Sequence, residues 1–404
     1  MQAQNESLIS HMNDKIKILV FVPHYLPGYN AGGPIRSVSN LVQSLGNEFE
    51  FKIITSDRDL YSEIAYPDIL QNNWMKLFNS KIMYTTPGYL SIRNTLRLLT
   101  DTKYDILYFN SFFHLSYSIL PLFLFKFVIR SKKPIILAPR GEFSPGALAI
   151  RKTKKKLYIL FSKISGLYNN IYWQASSEFE KRDILNIINQ RATIHVAPNI
   201  PLRGKITNLN TLGDKKKGFL NIVFLSRISP KKNIDGALQI LKGVKGNLKF
   251  DIFGPIGDEV YWKKCLTIID ELEPNIVVRY RGSVNHDQVT NILKSYDLFF
   301  FPTHGENFGH VIIEALSSGL PVAISDQTPW QDISKYDAGF DIQNTDVGQY
   351  RKIINRFVEM NEKEYSIFRK GALNYASDYF KNSDAMFQNR LLFTNSLKSK
   401  GSVD

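Results

Sequence analysis

Short apolar runs of strand length alternate with helical stretches along most of the 404 residues, in two series separated by one polar segment. In the first series the runs cover residues 15–22, 51–55, 106–109, 135–138, 171–175 and 193–196; in the second they cover 221–225, 248–253, 276–280, 297–301 and 321–324. Runs of Val, Ile and Leu without polar alternation are apolar on both faces, the pattern of strands in a parallel sheet covered by helices on either side. Two such series predict an α/β chain of two domains, each built on a parallel sheet covered on both faces. Residues 200–218, with Pro201, Gly204, Gly213, Lys215, Lys216 and Lys217, have neither period and read as a linker. The first domain is thus placed at 1–200, the linker at 201–218 and the second domain at 219–377. Beyond about residue 360 the pattern is helical, with Tyr375, Tyr379 and Phe380 followed by Met386, Phe387, Leu391, Leu392 and Phe393.

Composition narrows the function classes. Hydrophobic residues make up 44% of the chain, enough for packed cores and against disorder. The one cysteine, Cys265, excludes an intrachain disulfide and a cysteine-rich zinc site, and in its helix-like stretch it reads as an inert buried thiol. The first ten residues lack the basic start and apolar core of a secretory signal, so a cytoplasmic location is expected. The longest apolar stretch, 115–129, is interrupted by Pro121 and Lys126 and falls short of the roughly 20 residues of a spanning helix. Net charge is +14 and uneven: residues 1–200 carry 24 Lys and Arg against 14 Asp and Glu, residues 201–404 carry 27 against 23. Arg151, Lys152, Lys154, Lys155 and Lys156 form one basic run, with Arg130, Lys132 and Lys133 shortly before. Such a run is either a solvated helix face or a contact for an anionic membrane surface, which would place the chain peripherally on the inner face of the cytoplasmic membrane. No nucleic-acid-binding module accompanies the charge, so a nucleic-acid partner is not expected.

The segment 301–316 carries the most chemistry. A strand ending at Phe301 gives way to a loop with Pro302, Gly305 and Gly309, then to a helix marked by Val311, Ile312, Ala315 and Leu316. In open α/β sheets ligands lie beyond the carboxyl ends of the strands, and the free N–H groups of the next helix attract phosphate. A phosphorylated ligand is expected here. Glu306 and Glu314 need separate tasks, because a carboxylate beside phosphate is unfavourable unless it accepts hydrogen bonds from hydroxyls. Sugar hydroxyls meet that requirement: Glu306 in the loop can meet a sugar, and Glu314, deeper in the helix among Ile312, Ile313 and Ala315, can reach a ribose.

These residues resemble the family-4 glycosyltransferases, which carry Glu-x7-Glu after a strand ending in Pro-Ser or Pro-Thr, followed by a Phe-Gly helix start; here they are Glu306, Glu314, Phe308 and Gly309. The resemblance covers most of the chain. It implies a GT-B architecture, two Rossmann-like domains with parallel sheets facing across a cleft, and a C-terminal helix, about 378–404, that crosses back to complete the first domain. The implied reaction is a retaining transfer of sugar from a nucleotide-sugar donor to a hydroxyl of a saccharide or lipid-linked saccharide acceptor, as in bacterial surface-polysaccharide synthesis.

Breaking the sugar–phosphate bond leaves negative charge on the departing diphosphate, which cations must offset. Ser226-Arg227-Ile228-Ser229-Pro230-Lys231-Lys232-Asn233 resembles the family's Gly-Arg-Leu-x-x-x-Lys segment, with Arg227 and Lys232 on the charged positions. With Glu306 they form the implied catalytic set. Such a clamp makes a metal or other cofactor unnecessary. Asp57-Arg58-Asp59 spells the Asp-x-Asp of metal-dependent enzymes but reads as a polar loop. On the donor side the resemblance adds Gly32 and Gly33, reaching across the cleft; Ser283 and Val284 by the nucleobase, read through backbone groups so that UDP is favoured and GDP or ADP stay open; and Asn307 beside Glu306. Gly254 would let backbone approach the ligand or serve a plain turn, and His304 would hydrogen-bond the donor sugar. On the acceptor side Asn110 stands where many relatives have a histidine, and His114 lies one turn later. A protein base is then doubtful, which suits mechanisms in which the leaving phosphate takes the acceptor's proton. Arg140 and Glu142, in a Pro-Arg-Gly segment similar to that of the surface-polysaccharide branch, would face the cleft or form a salt-bridged loop. Two other classes fit the same architecture: a nucleotide-sugar 2-epimerase, which needs no acceptor, and a non-catalytic saccharide-binding protein.

Overall fold

The computed structural model describes residues 14–149, 152–202 and 214–398. Among the described residues fourteen strands form two sheets. The first contains β1 (Ile16–Phe21), β2 (Phe49–Ser56), β3 (Trp74–Leu77), β4 (Ser80–Thr85), β5 (Ile106–Phe109), β6 (Ile135–Leu137), β7 (Tyr172–Ala175) and β8 (Thr193–Val196). The second contains β9 (Phe219–Leu225), β10 (Asn247–Phe253), β11 (Ile276–Tyr280), β12 (Leu298–Phe301), β13 (Val322–Ser325) and β14 (Gly339–Ile342). Their orders are β3-β4-β2-β1-β5-β6-β7-β8 and β11-β10-β9-β12-β13-β14. All described pairings are parallel except β3 with β4, an antiparallel edge that the alternation of strands and helices does not announce. Hairpin edges need only a short turn, so no helical period separates them.

In each sheet the chain reverses its direction of winding at one point. The first sheet does so between β1 and β5, paired through Ile18–Ile106 to Phe21–Phe109, and the second between β9 and β12, paired through Ile222–Leu298 and Val223–Phe299. Loops leaving the carboxyl ends of those four strands open a crevice suited to ligands. They are the loops of Gly32, Asn110, Arg227 and Glu306.

Packing explains why the loops are held. Ile18 and Val20 lie in a core under the Gly33–Leu45 helix, whereas Leu19 and Phe21 lie in another on the opposite face of the same sheet, as period-two alternation requires. The second sheet has one continuous core that includes Phe299, Phe300 and Phe301. The helix Glu362–Asn382 packs there through Tyr365, Phe368, Ala372 and Ala376, close enough that a Cβ on Gly371 would meet the Tyr336 carbonyl at 2.2 Å. After Ser383 the chain crosses over. The last helix, Ala385–Lys398, buries Leu392 and Phe393 in the first domain, where Phe393 meets the rings of Phe49 (5.3 Å), Tyr108 (5.6 Å) and Phe51 (6.0 Å). Arg390 grips Glu48 through two hydrogen bonds of 2.6 and 2.7 Å.

Of the expected linker, Gly204 and Gly213 lie outside the described residues. Lys215 is buried, its backbone N–H donating to Glu362 at 2.6 Å. Arg151 of the basic run also lies outside the described residues.

Candidate active site

After β9, Ser226 N–H continues the ladder to the Phe253 carbonyl, and a single turn of 3-10 helix, Pro230–Lys232, ends at Asn233 in the left-handed region (φ 58°). Asparagine tolerates that conformation better than most side chains. Its Nδ2 donates to the Pro302 carbonyl at 2.7 Å, tying the two loops together. Across this tie Lys232 Nζ is hydrogen-bonded to Glu306 Oε1, both largely buried, with the ammonium 5.4 Å from the centre of the Phe301 ring. Glu306 is set by its own N–H, which donates to the Gln327 carbonyl at 3.0 Å. Arg227 differs: its guanidinium is exposed and has no hydrogen bond or ion pair among the described residues.

Lys231, which the motif comparison passes over, points the other way. Its Nζ donates to Ser144 Oγ of the first domain at 3.2 Å, while its carbonyl accepts from His304 N–H and the Thr303 hydroxyl at 3.0 and 3.1 Å. Burial, and then the neighbouring Lys232 charge, lower its pKa.

The helix His310–Ser317 begins at Gly309 (φ 76°) and meets the first domain directly. Glu314 Oε1 accepts from Arg36 Nη2, and Ser37 Oγ lies 3.2 Å from His310 Nε2. Burial raises the Glu314 pKa, and the Arg36 charge opposes that. Burial, then Arg36, holds His310 down at about 3. The same two causes put His286, at the start of the helix His286–Leu293, at about 4; the Ser283–Val284 loop comes just before that helix. Gly32 (φ 66°) and Gly33 head the helix that carries Arg36, and a Cβ on either would meet nothing within 4 Å. Open space beside bare backbone leaves room for a ligand to approach.

A second junction centres on Glu180, buried in the first domain. It accepts from Gly141 N–H (2.7 Å), Ser176 N–H (2.8 Å), Ser176 Oγ (2.7 Å) and Asn307 Nδ2 of the other domain (2.9 Å). At Gly141 (φ 81°) a Cβ would strike Asn307 at 2.6 Å, so glycine is required. Beside it Arg140 (φ 53°) donates to Asn110 Oδ1, Asn199 Oδ1 and Tyr108 OH at 2.6–3.0 Å. All of these partners are neutral. Asn110 is buried, and its Nδ2 has no partner among the described residues.

Several expected site residues are engaged elsewhere. Glu142 does not face the cleft: its oxygens accept from Ser111 Oγ (2.7 Å) and the Phe112 (2.5 Å) and Phe113 (3.1 Å) N–H groups, so it shapes the turn after β5 and forms no ion pair with Arg140 among the described residues. His114 caps the next helix through Nδ1, accepting from Tyr117 N–H at 3.4 Å, with its pKa lowered to about 4 by burial and then by His24. His304 turns outward to Asn344 at 2.9 Å. Phe308 is buried and its carbonyl accepts from Trp330 Nε1. A Cβ on Gly254 would meet the Ser226 carbonyl at 2.0 Å, so this glycine serves close strand packing rather than ligand approach. Asp57 pairs with Arg58 at 2.8 Å, and Asp59 accepts from the Tyr29 and Asn30 N–H groups at 2.8 and 3.0 Å, as a polar loop does.

The site therefore lies at both winding reversals, lined by cations, carboxylates and bare backbone. Residues 212–374 match the family described as glycosyl transferases group 1. The chain carries a group 1 glycosyltransferase domain. Around it, an uncharacterised 41.2 kDa protein in the cps region of Klebsiella pneumoniae is 24% identical over 364 residues, 87% of this chain and 94% of that protein. The O-antigen chain mannosyltransferase B of Escherichia coli is 28% identical over 131 residues, 31% of this chain and 33% of that enzyme. Among solved structures, sucrose-phosphate synthase from Thermosynechococcus elongatus superposes with TM-score 0.72 at 13% identity, covering 95% of this chain and all of the other. Anabaena HepE in complex with UDP and glucose gives 0.68 at 15% identity with the same coverage. The architecture of the chain is thus GT-B, including the C-terminal helix that returns to the first domain.

Proposed function

We propose that the protein is a retaining family-4 glycosyltransferase that moves a hexose or N-acetylhexosamine from a nucleotide-sugar to a hydroxyl of a lipid-linked or oligosaccharide acceptor in cell-surface polysaccharide synthesis. UDP is the favoured nucleotide and GDP the second. One observation carries the reading: Arg227, Lys231 and Arg140 border the cleft with no carboxylate in ion-pair distance among the described residues, beside a Lys232–Glu306 pair. Three cations left over on the cleft border make it complementary to a diphosphate. The UDP and glucose held by the Anabaena protein, and the O-antigen and cps relatives, support the same donor class and setting.

In the proposed reaction the bond between the sugar's anomeric carbon and the diphosphate oxygen breaks, and the electron pair leaves with the phosphate. Arg227 and Lys232 stabilise that charge. The acceptor oxygen bonds to the same face of the sugar, and its proton passes to the leaving phosphate oxygen. His114, capping a helix with a depressed pKa, is not given that proton. Glu306, positioned by Lys232 and the Gln327 carbonyl, holds the sugar's hydroxyls, and Glu314 holds the ribose once Arg36 yields it. Side-chain cations take the place of a metal or other cofactor.

Incubating the purified chain with UDP- and GDP-sugars and following slow transfer to water tests this. Nucleotide release insensitive to chelator and retention of anomeric configuration are the expected results. Release from none of the donors, or isomerised sugar formed from UDP-sugar alone, contradicts the reading.

A further inference from the structure

We infer that the helix Lys152–Ile164, together with the neighbouring helical segment 115–129, is the surface through which the protein docks on an anionic lipid bilayer. Leu157, Leu160, Phe161 and Ile164 recur at one-turn spacing on one face of the helix, and each is more than half exposed. The opposite face is committed. Tyr158 meets the rings of Phe112 and Phe113 at 5.4 and 5.9 Å, its hydroxyl pairs with that of Tyr168 at 2.5 Å, and Ser162 is buried. Phe123 and Phe127 add a second exposed apolar pair, with ring centres 5.2 Å apart. Lys126 joins their helix to the turn after Ile164 by donating to the Leu167 carbonyl at 3.0 Å.

Charge selects the partner. Between residues 111 and 170 the sequence has eleven Lys and Arg and one acidic residue, Glu142, whose carboxylate is turned inward. On the helical wheel Lys154 flanks the apolar stripe on one side and Lys156 and Lys163 on the other. An apolar stripe bordered by lysines whose stems can lie along it, in a stretch whose one acid is turned inward, suits a helix resting in the headgroup layer of anionic lipid. A second copy of the chain would bring the same positive charge to the contact. Among the described residues no helix is long and apolar enough to cross a membrane, so attachment by this face is by surface contact. The surface starts at the cleft: Ser144, which receives Lys231, immediately precedes the short helix Pro145–Ala149 leading into it. This inference deepens the proposed function, on which its link to a lipid-linked acceptor rests.

Co-sedimentation of the full chain with sucrose-loaded vesicles, of phosphatidylcholine alone or mixed with phosphatidylglycerol, tests it. The chain should pellet with the mixed vesicles, less so as salt rises, and stay in solution with phosphatidylcholine alone. Leu160→Ser with Phe161→Ser should weaken pelleting about tenfold, and Lys154→Gln with Lys156→Gln about fivefold per lysine. UDP binding by both variants should match wild type, which also shows that they fold. Variants that pellet like wild type, equal capture by neutral vesicles, or a dimer in ultracentrifugation that the Leu160/Phe161 variant dissolves would each overturn the inference. Vesicle binding without any affinity for nucleotide-sugars would instead remove the transferase reading and leave the docking surface standing.

Discussion

Arg227 and Lys232 are both cations at the end of one strand, yet the fold treats them differently, and their variants should separate. Lys232 is already paired with Glu306, so Lys232→Met leaves a largely buried carboxylate without its partner and should disturb sugar positioning as well as charge. Arg227→Met touches no internal partner and should lower kcat about 10²–10³-fold with the melting temperature unchanged. Steady-state kinetics beside a thermal melt checks the pair; equal losses of stability in both variants would contradict the assignment. At the same scale, Arg36 and Glu314 join the domains across 278 positions of sequence. A double-mutant cycle with Arg36→Met and Glu314→Gln should return a coupling of about 0.5–3 kcal/mol in urea unfolding, and no coupling would show that the pair does not hold in solution. Glu306, Glu314, Arg227 and Lys232 are legible in the sequence because each lies in a short strand-loop-helix segment whose spacing has a local meaning. Arg36, Lys231, Glu180 and Asn199 are not, because their roles arise only where two distant segments meet. Glu142 misleads for the opposite reason: it stands beside Arg140 in a suggestive tripeptide, but three hydrogen bonds to the Ser111–Phe113 turn draw it inward.

At the scale of elements, nine of the eleven strands read from the sequence are mostly buried, and the other two, Thr193–Val196 and Ile276–Tyr280, are edges announced by their β-branched residues. The three that escape notice are edges or near-edges. Trp74–Leu77 lies wholly outside the buried set, Ser80–Thr85 pairs with it in a hairpin, and Gly339–Ile342 opens on a glycine where a Cβ would meet the Val322 carbonyl at 1.9 Å. Edges need less apolar surface, so their signal is weak. The last helix shows the converse: a run of Leu391, Leu392 and Phe393 announces burial but not which domain supplies the partner. Phe393 sits among Phe49, Phe51 and Tyr108. Phe393→Ala should therefore destabilise the first domain by about 3–5 kcal/mol, read by hydrogen exchange of β1, β2 and β5 against the second sheet. Equal deprotection of both sheets, or of the second alone, would contradict this placement.

Across the whole molecule, the two domains meet through Arg36–Glu314, Ser37–His310, Asn307–Glu180 and Lys231–Ser144. Histidines with lowered pKa values, of which His310 is the buried one, give this assembly a pH dependence. His310 near 3, and His114 and His286 near 4, lie below the ordinary value of about 6.5, so the unfolded chain binds more protons between those limits. Their contribution to stability is present above pH ~6.5 and is lost as pH falls toward 3–4. Melting temperature should decline across that window, with a shallower slope in His310→Gln; an unchanged slope would show that His310 is not neutral at the interface. The domain contacts also frame the cleft in which unpaired cations await an anion. Isothermal titration with UDP-sugars and GDP-sugars, wild type against Arg227→Met, tests that most directly. The account predicts one site per chain, weakened about 10–100-fold in the variant by loss of a charged hydrogen bond. No binding of either nucleotide class, or equal affinity in both proteins, would contradict it.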